Sequence, residues 1–279
     1  MAERARATDR VDEGAPDGPR LLVVVAHPDD ETFGCGSLLA HAVQQGMRTY
    51  VCCATRGEAG EPAEGSGIRK EDLPAKREAE LRAAAALLGV SDVTVLDWRD
   101  SDMSGDPAPG TFVGAPFDAV VAAVREVIDR VRPHVVVTLD ASDGHRDHVR
   151  ARDATLEAFD SATWRAGCCY LQCLPRPLMR EWAALLEAEN PGSTYLEDVG
   201  TLGTPEEDFT AVLDSSAFED LRWQAIRLHR SQVSPYEAMP PTLQRRFLCT
   251  EHLRLVRPEW EGGEVETGLR IGAMRPSAL

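Results

Sequence analysis

Two continuous apolar runs constrain the fold of this chain more than any other feature of its sequence. Residues 21–26 read LLVVVA, and residues 135–139 read VVVTL. Runs of this length without alternating polar residues are typical of parallel strands buried on both faces. Helical patterns follow both runs, at residues 36–45 and 149–159. The two runs therefore predict a sheet with helices packed on both of its faces.

Strand and helix patterns alternate along the rest of the chain as well. Further strands are expected at 49–54, 93–96, 210–213 and 252–256, and further helices at 74–88, 117–131 and 218–229. Residues 57–73 and the segment before residue 117 are predicted to be long loops. Repeated strand–helix units favour a Rossmann-like, mostly parallel α/β sheet with right-handed crossovers and the strand order 3-2-1-4-5.

The first 20 residues differ in composition from the remainder of the chain. They are charged, rich in Ala, Arg, Asp and Gly, and lack the apolar core of a secretory signal. We therefore predict a disordered lead-in over residues 1–20. Residues 21–279 contain neither a repeat nor a linker, and they are predicted to form a single α/β domain.

The composition argues against several classes of partner. The formal net charge of −16 repels phosphates, and so nucleic acids and anionic membranes are not expected to bind. No stretch approaches the roughly 20 apolar residues that span a bilayer. The seven cysteines lie mostly in apolar runs, as reduced thiols of a cytoplasmic protein do. A small-molecule substrate and a cytoplasmic location are expected, and the pattern leaves homo-oligomer formation open.

Two polar clusters come directly after the two most apolar strands. The first reads HPDDE at residues 27–31, and the second reads DASDGHRDH at residues 140–148. Open α/β sheets bind ligands at the carboxyl ends of the strands, where the strand order reverses. Strands 1 and 4 are neighbours in the predicted order, about 5 Å apart. The two clusters are therefore expected to meet at one site.

The residue types in these clusters suit a catalytic metal ion. Two histidines and a carboxylate around one open position are typical of a catalytic zinc with a water in the fourth site. His27, Asp30 and His148 are the predicted ligands, with Zn²⁺ expected and Fe²⁺ as an alternative. Zinc lowers the pKa of its bound water from about 15.7 toward 7. Asp29, next to a ligand, is the candidate general base on that water.

His145 and Asp147 are the remaining catalytic candidates. His145 precedes His148 by three residues and is expected to stabilise the oxyanion or to protonate the leaving amine. Asp147 is expected to hold that imidazole and to favour its charged form. Taken singly, a buried histidine also suits a structural role, and Asp147 suits a helix cap. Asp29, Asp30 and Glu31 alone suit a helix start that complements the dipole. The coincidence of two such clusters favours the metal site.

Together the two motifs resemble the zinc-dependent N-acetylglucosaminyl deacetylases of the PIG-L, or LmbE-like, family. The resemblance rests on HPDDE at residues 27–31 and GHRDH at residues 144–148, and it covers residues 21–159. It extends more loosely through HRSQ at residues 229–232 and Glu251. It implies zinc-dependent removal of an acyl group, acetyl being preferred, from the nitrogen of an amino sugar, and it implies the same ligands, base and acid.

Within the family, the sequence is most similar to the bacterial branch that deacetylates a glucosaminyl-inositol precursor of mycothiol. The segments WRDSDM at residues 98–103 and RPHVVVT at residues 132–138 carry this similarity. It implies that Arg77 and Asp100 contact sugar hydroxyls, with Glu58 as a further candidate. Without the resemblance, Arg77 would be assigned to a solvated helix face and Asp100 to a loop turn.

Two positions depart from the family pattern. Arg146 stands where the family usually has proline, a change that need not disturb the metal ligands. Asp143 stands where the mycothiol branch has a mobile tyrosine that assists oxyanion stabilisation. Because of this second change, a larger amide-linked conjugate and a glycopeptide-like natural product stay open as substrates.

Functions of other classes compete with a metal-dependent hydrolase. GCG at residues 34–36 resembles part of a dinucleotide fingerprint, which would suit a nucleotide-binding Rossmann-type protein, but the third glycine is missing. A non-catalytic metal- or sugar-binding protein is the other alternative, although binding alone does not require a base at Asp29. The spacing of Cys168, Cys169 and Cys173 does not indicate a metal site.

Overall fold

Seven strands form one sheet within the residues that the computed structural model describes, which are 18–189, 192 and 201–271. The strands are β1 (Arg20–Val25), β2 (Arg48–Cys53), β3 (Asp92–Val95), β4 (Val135–Leu139), β5 (Cys168–Cys173), β6 (Ala211–Asp214) and β7 (Thr250–Arg257). Their order in space is β3-β2-β1-β4-β5-β7-β6. Strands β1 to β5 pair in parallel, whereas β7 pairs antiparallel with both β5 and β6. The predicted α/β class and the order 3-2-1-4-5 are confirmed.

Helices cover both faces of the sheet. They are α1 (Asp30–Phe33), α2 (Gly36–Gln44), α3 (Leu73–Leu87), α4 (Phe117–Val131), α5 (Arg146–Ser161), α6 (Arg176–Glu189), α7 (Glu219–Ile226) and α8 (Pro241–Leu248). Helices α2, α3 and α7 contribute to the core on one face, and α4 and α5 to the core on the other. Among the described residues, none of the helices combines the length and the apolar character needed to span a bilayer.

The continuous apolar run of β1 follows from burial on both faces. Leu21 and Val23 pack into the core beneath α2 and α3, whereas Leu22 and Val24 pack into the core beneath α4 and α5. Because successive side chains of a strand point to opposite faces, a strand covered on both sides needs an apolar residue at every position. All seven cysteines are buried, and none of them is in a disulfide, as expected for reduced thiols.

The described chain after α5 holds elements that the sequence pattern did not predict. They are β5, α6 and α8. Helices α6 and α8 pack into a third apolar cluster, which contains Leu178, Met179, Tyr236 and Phe247. This cluster forms only when distant segments meet, and so its members show no pattern within any one stretch of sequence.

Some boundaries also differ from prediction. Helix α5 begins at Arg146 rather than at residue 149, because His145 caps it: the His145 side chain accepts a hydrogen bond from the Asp147 backbone N–H. Strand β1 begins at Arg20, inside the predicted lead-in, whose residues 1–17 lie outside the described residues. The predicted helix 218–229 is shorter and ends at Ile226.

The point where the strand order reverses lies between β1 and β4. Strand β1 pairs with β2 on one side and with β4 on the other. The chain leaves β1 toward α2, which packs on one face, and leaves β4 toward α5, which packs on the opposite face. The two connections therefore diverge, and they leave a crevice at the carboxyl ends of the two strands.

Candidate active site

A cavity of about 470 Å³ occupies this crevice. One part of its wall is polar and includes both clusters singled out in the sequence. Another part is largely apolar. The polar residues include His27, Asp29, Asp30, Arg77, Asp100, Asp143, His145 and His148, and the apolar ones include Phe33, Leu174, Met179, Trp182, Met239 and Phe247. The structure thus brings the two predicted clusters together in one cavity.

The turn after β1 fixes the carboxylate of Asp30. Its Oδ2 accepts hydrogen bonds from the backbone N–H groups of Ala26 (3.1 Å) and His27 (2.8 Å). Asp30 is also the first residue of α1. The carboxylate is therefore held beside the imidazole of His27 by the backbone that links the two residues.

Three predicted metal ligands face one another across the crevice. Asp30 Oδ2 lies 3.6 Å from His27 Nδ1, and Asp30 Oδ1 lies 3.3 Å from His148 Nε2. His148 Nε2 is buried, and none of the described residues forms a hydrogen bond with it. Donors bound tetrahedrally at 2.0–2.1 Å lie about 3.3 Å apart. The spacing, the unpartnered nitrogen and the mixed nitrogen and oxygen donors fit a divalent metal ion.

His145 is a competing third ligand. The nearest donor atoms of His27, His145 and His148 all lie within 4.8 Å of one another. However, His145 Nδ1 already accepts the N–H of Asp147 at 3.1 Å, and a third imidazole supplies no negative charge to balance a divalent cation. The carboxylate of Asp30 supplies that charge, and so it is the better third donor.

Carboxylates give the surroundings of His27 and His148 a negative electrostatic potential. Burial lowers the pKa of His148, but the carboxylates of Asp143 and Asp30 outweigh burial and hold this pKa well above its usual value. Burial likewise opposes protonation of His27, yet Asp147 and Asp30 raise its pKa. Surroundings that stabilise two imidazolium cations also stabilise a metal cation, which competes with protons for the same nitrogens.

Asp29, the predicted general base, has a strained backbone. Its φ is 146°, a region that favours glycine and costs another residue of order 1–3 kcal/mol. The backbone N–H of Asp29 donates to Glu31 Oε2 (3.0 Å), and its side-chain Oδ2 accepts from Arg77 Nη2 (3.0 Å). Burial raises the pKa of Asp29, and Arg77 lowers it by less, so that it lies above its usual value.

Arg77 is buried rather than part of a solvated helix face, with only 4% of its surface exposed. Besides Asp29, its guanidinium donates to the carbonyl oxygens of Pro28 (3.0 Å) and Gly57 (2.9 Å). Arg77 also borders the cavity. Its first role in the structure is therefore to hold the turn that carries Asp29, a role that the sequence did not indicate.

Glu31 and His229 form a buried pair beneath this turn that sequence reasoning missed. Glu31 Oε1 lies 3.0 Å from His229 Nε2, and both side chains are fully buried. Because the other oxygen of Glu31 accepts the Asp29 N–H, the pair supports the strained residue from below. Glu31 belongs to the HPDDE motif and His229 to the HRSQ motif, but no spacing rule connects two motifs so far apart in sequence.

The expectation that the Asp147 carboxylate holds His145 is wrong. Asp147 Oδ2 lies 3.1 Å from His27 Nε2 and accepts the backbone N–H of Ser101 at 3.0 Å. Only the backbone of Asp147 contacts the imidazole of His145. Burial and the neighbouring His27 and His148 lower the pKa of His145 to about 4, and so His145 is neutral at pH 7 rather than charged.

Asp100 and Glu58, two of the residues predicted to contact the sugar, differ in whether they line the cavity. Asp100 borders the cavity, and its Oδ2 lies 3.7 Å from His27 Nε2. Glu58 is not among the residues that line the cavity; its Oε2 accepts the backbone N–H of Asp100 at 3.0 Å. Glu58 therefore holds the segment that presents Asp100.

The two departures from the family pattern both have structural partners. Arg146 donates to the carbonyl oxygens of Asp102 (2.6 Å), Ser104 (3.0 Å) and Gly105 (2.7 Å), and so it fastens the loop after Asp100. Asp143 Oδ2 lies 2.6 Å from His148 Nδ1. Neither residue disturbs the three predicted ligands.

A Rossmann-like sheet that brings two histidines and two aspartates together at its switch point is typical of a metal-dependent hydrolase. A family profile described as PIG-L: GlcNAc-PI de-N-acetylase matches residues 22–159. The 1D-myo-inositol 2-acetamido-2-deoxy-alpha-D-glucopyranoside deacetylase of Geodermatophilus obscurus is 36% identical over 272 residues, which cover 86% of this chain and 92% of the relative. The chain belongs to the PIG-L deacetylase family.

Solved structures show the same fold at lower identity. N,N'-diacetylchitobiose deacetylase from Pyrococcus horikoshii superposes with a TM-score of 0.57 and 21% identity, covering 86% of this chain and 84% of that one. The 4-carboxy-2-hydroxymuconate hydratase of Pseudomonas putida reaches 0.57 at 19% identity, covering 88% and 99%. These likenesses concern the fold alone, since one of the two proteins is a hydratase.

The family assignment confirms the predicted deacetylase, and it favours this enzyme over the nucleotide-binding alternative. PIG-L deacetylases are generally metal-dependent, and the described residues of this chain contain a histidine and aspartate cluster that can hold a metal ion. The activity of this chain is therefore hydrolysis of an N-acyl amide.

Proposed function

We propose that this chain is a zinc-dependent deacetylase that removes the acetyl group from a 2-acetamido sugar joined to a second polar group. The curated relative acts on such a molecule, a 2-acetamido glucopyranoside of inositol. The observation that carries the proposal is the placement of the unpartnered His148 Nε2 against Asp30, in the same cavity as the Arg77-held carboxylate of Asp29.

His27, Asp30 and His148 would hold the metal. Two imidazoles and one carboxylate with a position left for water are characteristic of catalytic zinc, although Fe²⁺ also binds imidazole ligands. When bound, zinc polarises the amide carbonyl and lowers the pKa of water. The chain's own contribution is to hold these donors rigidly, through the backbone bonds to Asp30 and the carboxylates behind each imidazole.

Asp29 would accept the proton of the attacking water. A general base works best when its pKa lies near the working pH, and burial raises the pKa of Asp29 in that direction. Arg77 keeps one oxygen of the carboxylate bonded, and so only the other is free to face the water. The strained backbone of Asp29 fixes where that oxygen points.

His145 would stabilise the oxyanion. Its Nδ1 accepts the Asp147 N–H, and so the proton of the neutral imidazole lies on Nε2. A neutral imidazole with its N–H in the cavity is a hydrogen-bond donor to developing negative charge. Its pKa of about 4 makes a protonated His145 a minor form at pH 7, which favours this role over that of a permanent cationic acid.

Asp100 and Arg77 would contact the sugar hydroxyls. Glu58 would act on the sugar indirectly, by holding the segment that presents Asp100.

The apolar part of the cavity wall favours a second candidate function, deacylation of a larger amide-linked conjugate whose apolar portion lies against Phe33, Trp182 and Met239. Oligomeric state, cytoplasmic location and the absence of nucleic-acid and membrane partners stay predictions.

The test is release of primary amine from a panel of acetylated substrates by the zinc-loaded wild type and Asp29→Asn. The panel contains N-acetylglucosaminyl inositol, N-acetylglucosamine, an aryl N-acetylglucosaminide and an acetylated peptide. We expect turnover of the glucosaminides but not of the peptide. Asp29→Asn should bind zinc as the wild type does and lose about 10²–10⁴-fold in kcat. Full turnover by Asp29→Asn, or equal turnover of the peptide, would reject the proposal.

A further inference from the structure

Asp143 contacts both histidines that follow β4. Its Oδ2 lies 2.6 Å from His148 Nδ1, and its Oδ1 accepts the backbone N–H of His145 at 3.1 Å. The side chain is only 18% exposed. Both oxygens of this carboxylate are thus engaged by the segment that carries the predicted ligand.

The two nitrogens of His148 have different surroundings. Nδ1 has the carboxylate of Asp143 as its partner. Nε2 is buried and lies 3.3 Å from Asp30 Oδ1, and within the described part of the chain it has no hydrogen-bond partner. A carboxylate can only accept a hydrogen bond, and so it retains the imidazole proton on Nδ1. The lone pair of the neutral ring then lies on Nε2, which faces Asp30.

We propose that Asp143 is a positioning residue for the metal, an inference that rests on the proposed function. By accepting the Nδ1–H of His148, it sets the tautomer and the ring orientation in which Nε2 binds the ion, and it raises the basicity of that nitrogen. Asp147 holds the other imidazole in the same way, through His27 Nε2 at 3.1 Å. Each predicted histidine ligand is therefore backed by a carboxylate from the second cluster.

This arrangement gives position 143 a different task from the one implied by the tyrosine of the most similar branch. An aspartate whose two oxygens are bonded to His148 and to the backbone of His145 is not free to follow the reacting carbonyl. The effect of removing it should fall first on metal affinity. Turnover should fall only to the extent that the protein loses its metal.

The experiment measures zinc affinity of the metal-free protein by competition with a chromophoric chelator, using zinc alone and no substrate. We expect Asp143→Ala to bind zinc 10- to 100-fold more weakly than the wild type. Asp143→Asn should lose less, because its amide oxygen still accepts the Nδ1–H. The control is Asp102→Asn, which removes a carboxylate bordering the same cavity without contact to a predicted ligand.

A second readout separates positioning from a direct role. With zinc in excess, Asp143→Asn should recover most of the wild-type kcat with an unchanged KM. Wild-type zinc affinity in both Asp143 variants, with kcat or KM altered, would overturn the proposal and assign Asp143 to the substrate. If Asp143→Ala does not fold, Asp143→Asn alone decides, because an affinity equal to that of Asp102→Asn contradicts positioning. Failure of the wild type to bind zinc would instead reject the proposed function.

Discussion

Arg77 Nη2 lies 3.0 Å from Asp29 Oδ2, and the same guanidinium holds the backbone carbonyls of Pro28 and Gly57. One buried side chain thus ties the candidate base to the turn after β1 and to the loop after β2. Hydrogen bonds to charged groups contribute about 1.5–3 kcal/mol each. Arg77 therefore holds the carboxylate that the proposed reaction needs in position and partly offsets the rise in its pKa caused by burial.

Replacement of this guanidinium should change the pH dependence of turnover. Arg77 lowers the pKa of Asp29, and burial raises it. In Arg77→Met, burial acts unopposed and the pKa of Asp29 rises further, so the base retains its proton up to a higher pH. We expect the acidic limb of the kcat/KM profile to shift to higher pH, and kcat/KM at pH 7 to fall about tenfold to hundredfold.

Two further variants make this prediction specific. Arg77→Lys keeps the positive charge but loses the planar fork, and it should shift the acidic limb less than Arg77→Met. Arg82→Met removes an arginine from the exposed side of the same helix and should leave the profile unchanged. An acidic limb that stays in place in Arg77→Met would show that Asp29 is not the group whose titration limits the reaction.

The strained backbone of Asp29 predicts a conflict between stability and activity. A non-glycine residue at φ 146° costs of order 1–3 kcal/mol, whereas glycine adopts this conformation freely but loses about 0.5–1 kcal/mol more chain entropy than alanine. Asp29→Gly should therefore unfold with a free energy about 1 kcal/mol higher than Asp29→Ala, and both should be inactive. Chemical denaturation of the two metal-free variants measures the difference. An Asp29→Gly variant about 0.5–1 kcal/mol less stable than Asp29→Ala would show that the turn carries no strain.

His252 is expected to make the stability of the folded state sensitive to acid. It lies on β7, away from the proposed metal ligands. Burial lowers the pKa of His252 to about 4 from an ordinary value near 6.5. The folded state thus favours the neutral imidazole. The stability that results is complete above pH 6.5 and is lost as the pH falls through 6.5 toward 4, because only the unfolded chain then takes up the proton.

His252→Gln removes this titration. Its free energy of unfolding should fall less steeply than that of the wild type between pH 6.5 and pH 4, by about 1 kcal/mol per pH unit at most. Urea unfolding curves at half-unit intervals of pH measure the slope. His41→Gln, a variant of a histidine on α2 outside the site, serves as the comparison, and parallel slopes for the wild type and His252→Gln would contradict the prediction.

The sheet could be predicted because its signals are local. A strand buried on both faces must be apolar throughout, and β1 and β4 satisfy this rule within five or six residues. Strand β5 was missed because its run, CCYLQC, contains a glutamine that borders the cavity. Helices α6 and α8 were missed because they pack against each other and against segments distant in sequence.

That the two polar clusters meet could be predicted for the same reason, since each cluster follows directly from a recognisable strand. The contacts between the clusters could not. Which carboxylate backs which imidazole depends on rotamers and on the capping of α5 by His145, and so the partner of Asp147 was misassigned. The burial of Arg77 was also hidden, because it depends on the loop after β2 folding over the guanidinium.

That loop supplies a test of the Arg77 arrangement that leaves Arg77 itself unchanged. Gly57 has φ +66°, and a Cβ added there would lie 2.1 Å from Arg77 Nη1. Gly65, in the same loop, has φ +74° with nothing within 4 Å of an added Cβ. Gly57→Ala and Gly65→Ala therefore carry a similar backbone penalty, of order 1 kcal/mol, but only the first displaces the guanidinium.

Gly57→Ala should therefore reproduce the Arg77→Met phenotype in kind, with a lower kcat/KM and an acidic limb displaced to higher pH. Gly65→Ala should lose only the backbone penalty of order 1 kcal/mol, less than Gly57→Ala loses, and keep the wild-type profile. Unfolding curves and pH–rate profiles of both variants decide the matter. If the two variants show the same activity, the close approach of Gly57 to the guanidinium has no part in holding Asp29, and the contacts to Pro28 and Asp29 suffice.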